Sequence, residues 1–149
     1  CETAVRGDGI EISGPDRLEG ATFDLNATPD AIPAMAVVGA LADGETRLVN
    51  VPQARMKETD RLEVMSEELG KMGVRVRELP DGLVIQGGKL EGASVRGHSD
   101  HRVVMALAVA GLAAVGRTVV DTAEAAAITF PRFAELMRDV GARLASDEQ

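Results

Sequence analysis

The chain has 149 residues, 45% of them hydrophobic and 27% charged, with a net charge of −8 and a sequence pI near 4.8. That length suits one domain with a real core, or two small lobes. The acidic balance argues against a nucleic-acid-binding surface, which needs a dense basic patch, yet allows a small anionic ligand held by a few focused cations.

Taken in chain order, the first residue is Cys1, the single cysteine. It permits no intrachain disulfide and is consistent with a reducing, cytoplasmic setting. A chain that opens on Cys, with no charged n-region or apolar h-region, reads as a piece of a longer one. Strands are expected at Gly9 to Ser13 and Ala21 to Asn26. Thr28-Pro29-Asp30 is a good helix start: Thr as N-cap, Pro in the first helical position, Asp favoured by the dipole. An Ala-rich apolar helix follows and is expected to close at Gly44 in the left-handed C′ conformation, before the β-branched run TRLVNV. Next comes RMKETDR, Arg55 to Arg61, with five of seven side chains ionisable. The helix after it carries Leu62, Met65, Leu69 and Met72 on one stripe and ends at Gly73, ahead of the strand VRV. Further strands are expected at Leu83 to Gln86 and Ala93 to Arg96, with turns at Pro80-Asp-Gly82 and Gly87-Gly88 between them. The apolar run Val103 to Val115 falls short of the roughly 20 residues a membrane helix needs, so it predicts a helix buried on most sides. Gly116, the strand RTVVDT, a stripe of Phe130, Phe133, Met137 and Val140, then Gly141 and the strand ARL complete the chain, before a frayed SDEQ tail.

The chain repeats itself. Pro29 to Val51 matches Ser99 to Thr122, and the two amphipathic stripes share one spacing. The unit is strand, buried helix, strand, amphipathic helix, strand, recurring about every 70 residues, which predicts an α/β (α+β) fold of two units near 9–86 and 87–145. In this alignment Lys57-Glu58-Thr59-Asp60-Arg61 stands against Ala125 to Thr129, and Asp30-Ala-Ile against Asp100-His101-Arg102. The same architecture is built without the charges, so folding does not demand them.

A helix N-terminus presents unpaired N–H groups and the positive end of the dipole, a ready anion site when Arg or Lys stands beside it. Arg61 and Arg102 fall in first turns, where a cation is disfavoured unless an anion binds, and the guanidinium fork suits carboxylate or phosphate. Glu58, Asp30 and His101 are acid–base candidates. Plainer readings stand beside these. Asp30 could serve only the helix start, Asp60 and Glu63 could form a capping-box variant, and Lys57, Glu58 and Arg61 could be surface ion pairs. His98-Ser-Asp-His101 matches no strong metal signature and no Cys or His cluster supports it, so no metal is expected.

The Lys-Glu-Thr-Asp-Arg block, with Asp-His-Arg and TFPRF downstream and DLNATPDAIPAM upstream, resembles the 5-enolpyruvylshikimate-3-phosphate synthase family over nearly the whole chain. The resemblance implies a lobe of repeated βαβαββ units with helices packed inward, of which this chain would hold the last two of the C-terminal lobe. It implies transfer of enolpyruvyl from phosphoenolpyruvate to the 5-hydroxyl of shikimate 3-phosphate, with release of phosphate through a tetrahedral intermediate and without metal or cofactor. By the same resemblance Asp30 contacts the accepting hydroxyl as proton acceptor, and Glu58 donates a proton to the enolpyruvyl methylene. Lys57 and Gln53 contact shikimate 3-phosphate, Arg61 and Arg102 hold phosphoenolpyruvate, and His101 lies beside them. Ile128 stands where some relatives carry a phosphoenolpyruvate-binding Lys. The expected partners are the two anionic substrates and an N-terminal lobe of the same enzyme, without which the piece is expected to be inactive. An uncovered repeat face would favour self-association. Neither nucleic acid nor membrane is expected as a partner. Two alternatives stand beside this reading: a relative that acts on a UDP-sugar, and a non-catalytic repeat domain that binds an anion or a protein.

Overall fold

The computed structural model describes residues 2–145. A hairpin opens it, β1 (Glu2–Arg6) antiparallel to β2 (Gly9–Ser13), turning at Gly7 with φ 61°. β1 is not among the strands expected from the sequence, and every residue of the pair is exposed. Four more strands form one sheet in the order β3-β4-β6-β5. β3 (Thr22–Asp24) is parallel to β4 (Glu45–Val49), which is antiparallel to β6 (Gly82–Gln86), itself antiparallel to β5 (Arg75–Leu79).

Two helices belong to this sheet, α1 (Ile32–Leu41) and α2 (Arg61–Lys71). The stripe expected on α2 is real: Leu62, Met65, Leu69 and Met72 are all fully buried. Burying such side chains stabilises by about 1.5–3 kcal/mol each, an upper range since the unfolded chain already hides part of them. The helix stops where the sequence said. Gly73, at φ 85°, donates to the Gly70 carbonyl while Val74 donates to Leu69, the paired bonds of a Schellman motif.

The second unit is leaner. β7 (Ser94–Val95) and β8 (Val119–Val120) make a short parallel pair around α3 (His101–Ala113), and α4 (Phe133–Asp139) closes the chain. α3 buries Val103, Val104, Ala106, Leu107 and Ala110 within the protein, while Val109 and Leu112 are 41% and 40% exposed, so it is less enclosed than its composition predicted. One core runs through α1, α2, α3 and the sheet, and a small second cluster gathers Val104, Ala125, Ala126 and Phe133.

Four sequence expectations need correction. The second amphipathic stripe is not buried: Phe130 is 42% and Val140 80% exposed, and only Phe133 enters the core, because α4 is a short helix with little packed over it. ARL forms no strand; Ala142 instead donates to the Met137 carbonyl in the helix-ending motif around Gly141. Gly44 and Gly116 are left-handed (φ 85° and 99°) but lie beyond the extended C-caps Ala42 and Ala114, in the turns entering the next strands. The repeat register also shifts. Gly20, Gly39, Gly44 and Thr46 recur at one constant spacing as Gly92, Gly111, Gly116 and Thr118, with each Gly39-type residue packed on its threonine. In that register Lys57 to Arg61 stands against Thr129 to Phe133, not against Ala125 to Thr129, and Thr28 against Asp100. The match at Lys57 to Arg61 slipped because α4 is shorter than α2 and displaces its terminal glycine.

Candidate active site

Three helix beginnings meet at one point. Asp30 lies in the 3-10 turn Pro29–Ala31 that leads into α1, Arg61 is the first residue of α2, and Asp100 is the N-cap of α3. Thr28 makes no capping bond, contrary to the expectation for it. The two α-helical caps do form. Asp60 Oδ1 accepts the Leu62 and Glu63 N–H groups at 3.1 Å, and Asp100 Oδ1 accepts those of Arg102 and Val103. Asp60 is thus structural, and its Oδ2 receives Arg55 at 2.6 Å. Arg55 also donates to Glu78 and to the Leu79 and Pro80 carbonyls, pinning the charged turn to the β5–β6 hairpin.

The centre of the site is Arg61, which is fully buried. Its Nε donates to Asp100 Oδ2 at 2.7 Å and its Nη2 to Asp100 Oδ1 at 3.2 Å, a two-point bond to a second fully buried group. Nη1 reaches Asp30 at 2.9 Å and Nη2 reaches Glu58 at 2.7 Å. Four of its five N–H donors are therefore spent on three carboxylates. The cation that the sequence placed against the dipole is balanced by the protein's own acids. Thr59 Oγ1 adds a bond to Asp100 Oδ2 at 3.3 Å.

Around this buried strut lie the groups that solvent can reach. Asp30, with its side chain 46% exposed, faces Lys57 at 3.1 Å, Arg61 at 2.9 Å and Arg102 at 3.4 Å. The Lys57 hydrogen bond, together with the Arg102, Lys57 and Arg61 charges, outweighs the burial penalty and holds its carboxyl below the usual carboxylate range. Glu58 stands between Arg61 and His101, whose Nδ1 lies 3.6 Å from its Oε1. Burial pushes the Asp100 carboxyl up, but the Arg61 bonds and the α3 N–H groups outweigh that and lower it. For Arg61 burial works against the charge, and the three carboxylates more than restore it.

Of the residues singled out in the sequence, the structure brings Asp30, Lys57, Glu58, Arg61, His101 and Arg102 together. Gln53 stands apart from this ion-pair cluster, in the 3-10 turn Pro52–Met56, where its Nε2 donates to the Asn26 carbonyl at 2.9 Å. Ile128, at the end of the 3-10 segment Ala123–Ile128, is 70% exposed. Sequence reasoning passed over Asp100 as a partner of Arg61, and over Thr59, Arg55 and Glu68. The one signal for Asp100 was its place as a capping residue directly before His101 and Arg102; nothing local pointed to Glu68. Among the described residues, Glu67, Glu68 and His98 offer ligand atoms within 4.8 Å of one another, but Lys71 Nζ sits 2.9 Å from both glutamates and supplies the positive charge there.

Asp30, Glu68 and Asp100 are all depressed below their ordinary values. Their contribution to stability is full above the unfolded carboxylate range, about pH 4, and is lost as pH falls through the lower folded values. Urea midpoints measured from pH 7 to pH 3 are expected to drop steeply below about pH 4, and Asp100→Asn is expected to flatten that drop. An equally steep drop in the variant would remove Asp100 from the account.

The fold has solved counterparts. EPSP synthase from Acinetobacter baumannii matches with a TM-score of 0.82 at 34% identity, covering 89% of this chain and 32% of that one. The enolpyruvyl transferase NikO from Streptomyces tendae matches in fold, with a TM-score of 0.73 at 21% identity over 95% of this chain and 32% of that one. Architecture and site thus define an enolpyruvyl transferase fold with charged groups at converging helix starts. The family model for EPSP synthase (3-phosphoshikimate 1-carboxyvinyltransferase) matches residues 2–137, and the chain belongs to that family. It is 56% identical over 137 residues to the 3-phosphoshikimate 1-carboxyvinyltransferase of Ruminiclostridium cellulolyticum, covering 92% of this chain and 32% of that protein. For the same enzyme of Acetivibrio thermocellus the identity is 54% over 148 residues, covering 99% and 35%. The chain spans about a third of the length of these curated relatives. No described helix is long and apolar enough to cross a membrane.

Proposed function

We propose that the chain forms two repeat units in one lobe of an enzyme that transfers enolpyruvyl from phosphoenolpyruvate to the 5-hydroxyl of shikimate 3-phosphate, and that it supplies about half of the site. The observation that carries this is the meeting of Asp30 with Lys57, Arg61 and Arg102, a carboxylate kept ionised among cations at helix starts. An ionised Asp30 can take the proton of the accepting hydroxyl as its oxygen bonds to C2 of the donor. Glu58 gives a proton to the methylene carbon, and the tetrahedral adduct then expels phosphate as the Glu58 carboxylate takes a methyl proton back and the double bond returns. Lys57 and Arg102 are partly exposed, each directed at Asp30, and can exchange that partner for substrate phosphate or carboxylate. Gln53 contacts shikimate 3-phosphate in this reading through its Oε1 or its second Nε2 hydrogen, since the first is bonded to the Asn26 carbonyl. Arg61 offers phosphoenolpyruvate at most its remaining Nη1 hydrogen, so Arg102 carries more of that contact, with His101 steadying Glu58.

The other cations for two multiply charged substrates come, in this reading, from the rest of the parent enzyme, whose closure assembles the chemistry. The exposed Val5, Ile10 and Ile12 of the β1–β2 hairpin are the surface on which we expect either that remainder or a second copy to pack. The test is phosphate release from phosphoenolpyruvate plus shikimate 3-phosphate, with the chain alone and with the rest of its parent added. Release only in the mixture is the expected result. Release by the chain alone would overturn the half-site reading, and turnover of a UDP-sugar in place of shikimate 3-phosphate would overturn the acceptor.

A further inference from the structure

The most demanding group outside the site is Glu68, a charged residue of α2 with no exposed side-chain surface. A buried carboxylate is costly unless every oxygen is satisfied, and here each is. Oε1 receives Lys71 Nζ at 2.9 Å and faces His98 Nε2 at 2.8 Å; Oε2 receives Lys71 Nζ at 2.9 Å and the Arg96 N–H at 2.9 Å. Burial raises the Glu68 carboxyl, and these partners together bring it below its ordinary value.

What Glu68 grips is the connection from β7 to α3. That connection is unusual: His98 and Ser99 are successive non-glycine residues in the left-handed region, with φ 53° and 55°. Asn26 and Ala27, their counterparts in the first unit, are not among the positive-φ residues. Such a path persists only where the surroundings over-determine it. Glu68 holds Arg96 and His98 from one direction, while Asp121 Oδ1 accepts the Gly97 N–H at 2.7 Å and Thr122 Oγ1 the Ser99 N–H at 3.1 Å. The next residue is Asp100, which caps α3 and fastens Arg61; His101 and Arg102 follow. A packed apolar residue would secure α2 at lower cost. A fully bonded carboxylate instead imposes one loop geometry.

We propose that Glu68 is a positioning residue for the donor-binding side of the site: through His98 and the Arg96 amide it sets the loop that aims Arg102. This rests on the function proposed above. Arg102 belongs to the phosphoenolpyruvate contacts, whereas Lys57 and Gln53, the shikimate 3-phosphate contacts, lie on the turns before α2 and are not reached by Glu68. Asp30, at the accepting hydroxyl, also faces Arg102 but keeps Lys57 when Arg102 shifts, so a fault in the loop falls mainly on phosphoenolpyruvate.

The experiment uses the full-length parent enzyme carrying Glu68→Gln or His98→Ala. The second keeps the Glu68 bonds to Lys71 and Arg96, and so remains informative where the first folds poorly. KM is measured for each substrate alongside the thermal midpoint. The expected result is a rise in KM for phosphoenolpyruvate of about tenfold, with KM for shikimate 3-phosphate within about twofold. Equal changes in both KM values, no change in either, or a change confined to shikimate 3-phosphate in a folded variant would overturn the positioning role. Absence of turnover by the unsubstituted enzyme would instead overturn the function and this proposal with it.

Discussion

Arg61→Met is expected to destabilise the chain by about 3–5 kcal/mol, among the largest effects a single side chain can have. The reason is not the worth of the ion pair. Drawing Arg61 and Asp100 out of water is itself unfavourable, and a well-packed apolar pair could do as well. Removing one partner leaves Asp100, fully buried, with a charge it cannot shed cheaply. Adding Asp100→Asn to Arg61→Met is therefore expected to restore more than half of the loss, because the amide oxygen still caps α3 without the charge. Urea denaturation of the two single variants and the double variant closes the cycle. Additive losses would show that the pair is not coupled, and the strut between the two units would then be mere proximity. Arg61→Lys is not a mild change, since one ammonium cannot span Asp100, Asp30 and Glu58 as the guanidinium does.

Glu58→Gln is expected to act on chemistry in place of stability. Its side chain is 47% exposed, so the Arg61 contact there contributes at most about 1 kcal/mol, and the fold should be little changed. The amide cannot give a proton to a carbon centre, and loss of a positioned acid–base group slows turnover by about 10²–10⁴-fold. In the full-length enzyme kcat is expected to fall by that factor with the thermal midpoint nearly unchanged. Full kcat in the variant would move the proton donor elsewhere, with His101, 3.6 Å from Glu58, as the neighbouring candidate. The contrast between the two substitutions separates what holds the site from what works in it. An Arg61 variant is expected to lose activity through collapse of its surroundings, so activity alone would say nothing about whether Arg61 touches substrate.

Much was present in the order of residues. Period and punctuation sufficed for α2: four apolar side chains on one stripe, an Asp cap and a left-handed Gly after the last turn are local facts, and local energetics decide them. The repeat, the collection of charge at helix starts and the family signature were likewise legible, because each is carried by residues close in sequence. The same reasoning failed on α4, whose stripe has the right spacing but lacks a body to bury against, and burial is a property of neighbours. Arg61 is more instructive. A cation in a first turn reads as an anion site, and so it is, but the anion is Asp100, brought from the other unit by the packing of α3. No local rule can foresee that pairing, since it depends on where two helix starts meet in space. The sequence by itself determined the elements, the repeat and the set of chemical groups. Tertiary structure alone decided which of those groups are buried and paired, and which remain free to meet a substrate.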